Sequence, residues 1–86
     1  MERLIKTHYV KTIQPYYNDS KRGIKLFEVR KNDRDYQVGD FFVQEEFNTE
    51  TQDLTGDNFK SKIIYLLRGG QFGIADDYCV LGIGDT

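Results

Sequence analysis

From Phe59 to Arg68 the sequence sets Phe59, Ser61, Ile63, Tyr65 and Leu67 against Lys60, Lys62, Ile64, Leu66 and Arg68, and in its second half both sets are largely apolar. A period of two is that of a strand. A strand apolar on both faces needs cover on both, which places it in the middle of a sheet. With 86 residues the chain can surround such a strand with one hydrophobic core, since domains of this size bury only a little over ~60% of their unfolded surface. The expectation is one domain spanning residues 1–86.

The other segments supply its neighbours. Leu4 to Ile13 mixes Ile, Thr, Tyr and Val with polar residues in near alternation, as in a strand buried on the side of His8, Val10 and Thr12. Pro15 suits the first position of a short helix and Gly23 its left-handed end, giving about two turns from Pro15 to Arg22 anchored by Tyr16 and Tyr17. Leu26 to Lys31 reads as a strand with Phe27 and Val29 inward and Glu28 and Arg30 on the opposite face. Asn32 to Val38 is polar and turn-like. An aromatic strand runs from Phe41 to Phe47, with Phe41, Val43 and Phe47 sharing a face, and a polar, acidic loop follows from Asn48 to Asn58. Gly69 to Gly73 bends the chain, with Phe72 either an exposed stacking platform for a base or, as the favoured reading, a core plug beneath that turn, and Tyr78 to Ile83 returns as the last strand. The sum is a mainly β (α+β) fold: a small barrel of about five strands with one or two short helices, in which closing the sheet removes exposed edges.

Composition narrows the function classes. Cys79 is the one cysteine and His8 the one histidine, so neither a disulfide within the chain nor a four-ligand zinc site is available. No metal and no cofactor is expected, and a reducing cytoplasm is the natural location. No run approaches the ~20 apolar residues of a membrane span. The formal net charge of −2 argues against indiscriminate coating of nucleic acid. Its distribution is uneven. Lys21 to Arg34 holds six of the twelve basic residues against Glu28 and Asp33, whereas Asp35 to Asp57 holds seven carboxylates and no base.

The basic segment carries the main candidate site. Lys25, Glu28 and Arg30 lie around one strand, and Lys31, Asn32, Asp33 and Arg34 follow in a loop rich in donors and acceptors. An arginine fork suits phosphate or a base edge, and Asn or Asp reads the exposed edge of an unstacked base. The competing account is a solvated strand with a Glu28–Arg30 pair and a side-chain-held turn. His8 would serve as a base near such a cleft or as a hydrogen-bonded structural residue. Arg68 would bring a second cation to a phosphate beside the Gly69 and Gly70 amides, or pair with Asp76 or Asp77. Cys79, in an apolar strand, is expected to be buried and inert.

The run from Lys25 to Asp40, with Phe27, Glu28, Arg30-Lys31-Asn32-Asp33-Arg34-Asp35-Tyr36-Gln37-Val38-Gly39 between them, resembles the DUF3850 family of ASCH-related, PUA-like domains. Tyr65 to Gly73 and Tyr78 to Leu81 are similar to that family's later motifs. The resemblance covers nearly the whole chain and weakens from Asn48 to Asn58. It implies a PUA-like barrel and, by analogy with the ASCH superfamily, binding of RNA or a modified nucleotide in a cleft beside the helix. One related ASCH group hydrolyses N4-acetylcytidine with a lysine, a threonine and a glutamate. Lys25 falls on that lysine, but Glu28 stands at the threonine position, which removes the hydroxyl nucleophile.

Three functions follow as expectations. The first is an RNA- or nucleotide-binding module in which Lys25, Arg30, Lys31 and Arg34 meet phosphate while Glu28, Asn32 and Asp33 read a base. The second is an amidohydrolase-like enzyme using Lys25, Glu28 and a water on a modified nucleoside. The third is a protein-interaction module using the acidic face 35–57.

Overall fold

A computed structural model of the chain describes residues 3–85. Strand β1 (Thr7–Thr12) is followed by helix α1 (Tyr16–Lys21) and strands β2 (Phe27–Lys31), β3 (Phe41–Asn48), β4 (Asp53–Arg68) and β5 (Tyr78–Gly84). The strands form one sheet in the order β1-β3-β4-β5-β2, parallel between β1 and β3 and antiparallel elsewhere. The two-sided apolar run is thus the central strand of five, although its second face is not covered, since Ile64 and Tyr65 lie exposed. The sheet curls into a half-barrel whose two edges, β1 and β2, face each other without a ladder between them.

The concave face carries the core. Val10, Tyr36, Phe42, Ile63, Cys79, Leu81 and Ile83 pack together there, with Leu66 against them; each large apolar side chain so buried contributes ~1.5–3 kcal/mol. A bulge between Ile63 and Tyr65 explains why β4 is apolar on both sides. The extra residue switches the alternation, so that Ile63 points into the core before it and Leu66 after it, while Ile64 and Tyr65 are exposed. Helix α1 ends where Gly23 takes a positive φ of 76°. Tyr17 anchors it edge-on against Phe59, with ring centroids 5.5 Å apart, and donates its hydroxyl to Asp57 Oδ2 at 2.7 Å. Tyr16, next to it, is exposed.

Four expectations need correction. In β2 the faces are reversed: Phe27 and Val29 are 48% and 54% exposed and Glu28 is 4% exposed. The strand lies at an edge, where its concave face meets the opening opposite β1, and a carboxylate can be buried there because its counterions arrive with it. The acidic stretch from Asn48 to Asn58 is a hairpin rather than a loop. Asn48 Oδ1 accepts from the N–H groups of Glu50 (2.9 Å) and Thr51 (3.2 Å), tightening the turn so that β4 already pairs at Asp53 and Leu54. Phe72 is no core plug. It sits at φ 52° with 83% of its surface exposed, because the turn throws its ring outward. Finally, the polar segment from Asn32 to Val38 contributes Tyr36 to the core, beside His8 (4.7 Å) and Phe42 (6.1 Å). At Gly69 any Cβ would overlap the carbonyl oxygens of Ala75 and Tyr78, so only glycine lets the 69–77 turn close.

Candidate functional site

An open seam between two sheet edges leaves backbone carbonyls without ladder partners, and polar groups of that kind must find donors elsewhere. Here cations supply them. Lys25 Nζ donates to the Phe27 carbonyl at 2.6 Å. Arg30 Nη2 crosses from β2 to β1 and donates to the Lys11 carbonyl (2.9 Å) and to Thr12 Oγ1 (3.0 Å). Arg34 Nη1 donates to the Tyr9 carbonyl. Side chains rather than main chain therefore hold the half-barrel together along this line.

Glu28 organises that arrangement. Its Oε1 accepts from Arg30 Nε at 3.0 Å and its Oε2 is paired with Lys25 Nζ. A carboxylate buried to this degree persists only with such partners, and in return it fixes where both cations stand. Among the described residues Arg30 Nη1 makes no hydrogen bond to protein, and about a quarter of the Arg30 side chain is accessible. Two of its five N–H donors remain available to a ligand.

Two hollows open along the seam. One, of about 410 Å³, is walled by Ile13, Tyr16, Phe27 and Val29 above Glu28 and Lys25. The other, of about 400 Å³, is more polar and is lined by Tyr9, Lys31, Asp33, Arg34, Tyr36 and Glu45. Lys11 and Arg30 border both. Each falls in the ~300–1,000 Å³ range of small-molecule sites, whereas the hollow under α1 beside Ser20 and Gly84, at about 190 Å³, does not. The ionic side chains of the seam are five cations (Lys11, Lys25, Arg30, Lys31, Arg34) and three carboxylates (Glu28, Asp33, Glu45), a balance of +2 in a chain of formal net charge −2.

A second buried carboxylate lies away from the seam. Asp40 accepts five hydrogen bonds: from Arg3 Nη1 (2.8 Å) and Nη2 (3.0 Å), His8 Nε2 (2.8 Å), and the N–H groups of Lys6 (3.1 Å) and Gln37 (3.2 Å). Burial pushes its carboxyl up, but the Arg3 and His8 bonds and the two backbone donors outweigh that and hold it well below the usual carboxylate range.

Of the residues singled out in the sequence, Lys25, Glu28, Arg30, Lys31, Asp33 and Arg34 come together in the seam. Three stand apart from the hollows. His8 is bound to Asp40. Asn32 donates its backbone N–H to the Asp77 carbonyl at 2.8 Å, tying two loops together. Arg68 lies across from Cys79 at the end of β4 and makes no ion pair with Asp76 or Asp77 among the described residues. Cys79 is fully buried, and burial pushes its thiol up, away from the reactive thiolate. Much of the acidic pole is engaged within the chain: Asp57 by Lys21 and Tyr17, Asp35 by Arg3 and Lys6, and Glu46 by Gln14 and Thr55.

Sequence reasoning missed the walls of the site: Lys11, Ile13, Tyr16 and Phe27. For Tyr16 a signal existed, since neighbouring helical positions cannot both face one core and the pair Tyr16-Tyr17 had to expose one ring. For Lys11 there was none, because its place depends on β1 being an edge.

Among the described residues, no helix is long and apolar enough to cross a membrane, and no three His, Cys, Asp or Glu side chains gather as metal ligands. A family model described as a domain of unknown function, DUF3850, matches residues 7–83. No curated protein matches the chain.

Proposed function

The chain belongs to the DUF3850 family, and from the chemistry of its seam we propose that it is a module that binds RNA or a nucleotide between β1 and β2. The observation that carries this reading is Arg30: a guanidinium clamped on buried Glu28, with Nη1 unspent, beside the exposed rings of Tyr16 and Phe27. Pre-positioned cations meet phosphate and exposed aromatic faces accept bases, the pairing used by single-strand binders. A local charge of +2 within an acidic chain directs anions to this line and repels them elsewhere. A cytoplasmic setting, in which a buried thiol stays reduced, fits the same reading.

The hydrolase reading retains one observation, the contact of Lys25 with Glu28 facing the apolar hollow. Both oxygens of Glu28 are held by cations, however, which is the geometry of an anchor more than of a base receiving a proton. Release of acyl group or base from a panel of modified nucleosides would restore that reading. The interaction-module reading is weakened by the internal pairing of Asp35, Glu46 and Asp57.

The test is a titration of the chain with short single-stranded RNA at two salt concentrations, followed by backbone amide shifts. Shifts should cluster on 9–13 and 25–34. Arg30→Gln should weaken binding about tenfold and lower the salt slope by about one. Equal affinity and equal slope in a folded Arg30→Gln variant would remove the assignment.

A further inference from the structure

We propose that the seam seats two consecutive nucleotides of a single strand, with the first base in the apolar hollow against Tyr16 and Phe27 and the linking phosphate at Arg30 and Lys11. This rests on the nucleotide-binding reading and narrows it from a nucleotide to an oligonucleotide.

The two hollows are nearly equal in volume, about 410 and 400 Å³, and different in chemistry. The first offers apolar and aromatic walls, Ile13, Tyr16, Phe27 and Val29, fit for stacking. The second offers Asp33, Arg34 and Glu45 beside Tyr36, donors and acceptors fit for a base edge. They meet at Lys11 and Arg30, so the residues common to both are the two cations. Along β1 and the residue after it the polar hollow is bordered by Tyr9 to Lys11 and the apolar one by Lys11 to Ile13, a stretch of ~13 Å at ~3.3 Å per residue. A lone nucleotide fills one hollow and leaves the other to water. Two joined nucleotides fill both and place their shared negative charge where the free N–H donors of Arg30 lie. Lys11 is exposed and only loosely held, its ammonium 5.0 Å from the Phe47 ring centroid, and can turn to that phosphate.

The experiment compares a mixed-base set of 5′-ribonucleotides, ribodinucleotides and ribotrinucleotides by titration of the whole chain. The dinucleotides should bind about tenfold or more tighter than the mononucleotides, with little gain from the third residue. Lys11→Ala should weaken the dinucleotides several-fold more than the mononucleotides, whereas Tyr16→Ala should weaken both. Dinucleotides no tighter than mononucleotides, or equal losses from Lys11→Ala for both, would overturn the two-nucleotide seat and leave the nucleotide reading standing. A further tenfold gain from the third residue would overturn it too, placing ligand beyond the seam. Absence of binding by all three sets would overturn both.

Discussion

Asp40 and Glu28 are both buried carboxylates, and the protein treats them differently. Asp40 collects five hydrogen bonds from residues 3, 6, 8 and 37, two of them from backbone N–H groups that cannot turn away. It joins the segment leading into β1 to the loop leading into β3, so the parallel pair is set from a single point. Among the described residues Glu28 is held by side chains alone, Lys25 and Arg30, whose outer parts reach the solvent-facing hollows. The bonds to Glu28 come from flexible side chains, while two of the five donors to Asp40 are main-chain N–H groups fixed by the fold. The kind of donor, more than the degree of burial, separates the two carboxylates.

Three measurements break or sharpen that contrast. The largest effect is expected from Asp40→Ala, which strands His8, Arg3 and two backbone donors; urea unfolding should lose about 3–5 kcal/mol. Glu28→Ala should cost less, about 1–3 kcal/mol, because both cations can extend into water. Equal losses for the two variants would erase the distinction. The third effect is a difference in slope. The Asp40 carboxyl lies below its unfolded value of ~3.9, so its contribution is complete above that pH and declines as pH falls through ~4 toward the folded value. Unfolding measured between pH 5 and pH 3 should therefore be steeper in the natural chain than in Asp40→Asn. Residual slope in the variant is expected from Asp57, lowered by Lys21 and Tyr17, and from Asp35, lowered by Gln37 and by Arg3 and Lys6. Parallel slopes would show that Asp40 is not the acid-sensitive anchor.

Much of this fold was legible in the residues. The two-sided run of β4, the alternation of β1, and the helix closed by Gly23 each follow from local sterics and a period of two or 3.6. The reversal of β2 was not legible, because Phe27-Glu28-Val29-Arg30 alternates equally well with either set inward. Only the identity of its neighbours decides: β5 on one side, the open seam on the other. The bulge in β4 escaped for the same reason, since it is set by register against β5 and not by any residue of its own.

The site divides along the same line. That Lys25, Glu28, Arg30 and Arg34 lie together was readable, because residues close in sequence on one strand and the loop after it stay close in space. That Lys11, Thr12 and Tyr16 complete their surroundings was decided by the curl of the sheet, which brings β1 within reach of Arg30 across eighteen residues of sequence. Local patterns state which side chains share a face. Which faces meet depends on long-range pairing, and that is settled by the burial of the whole core at once.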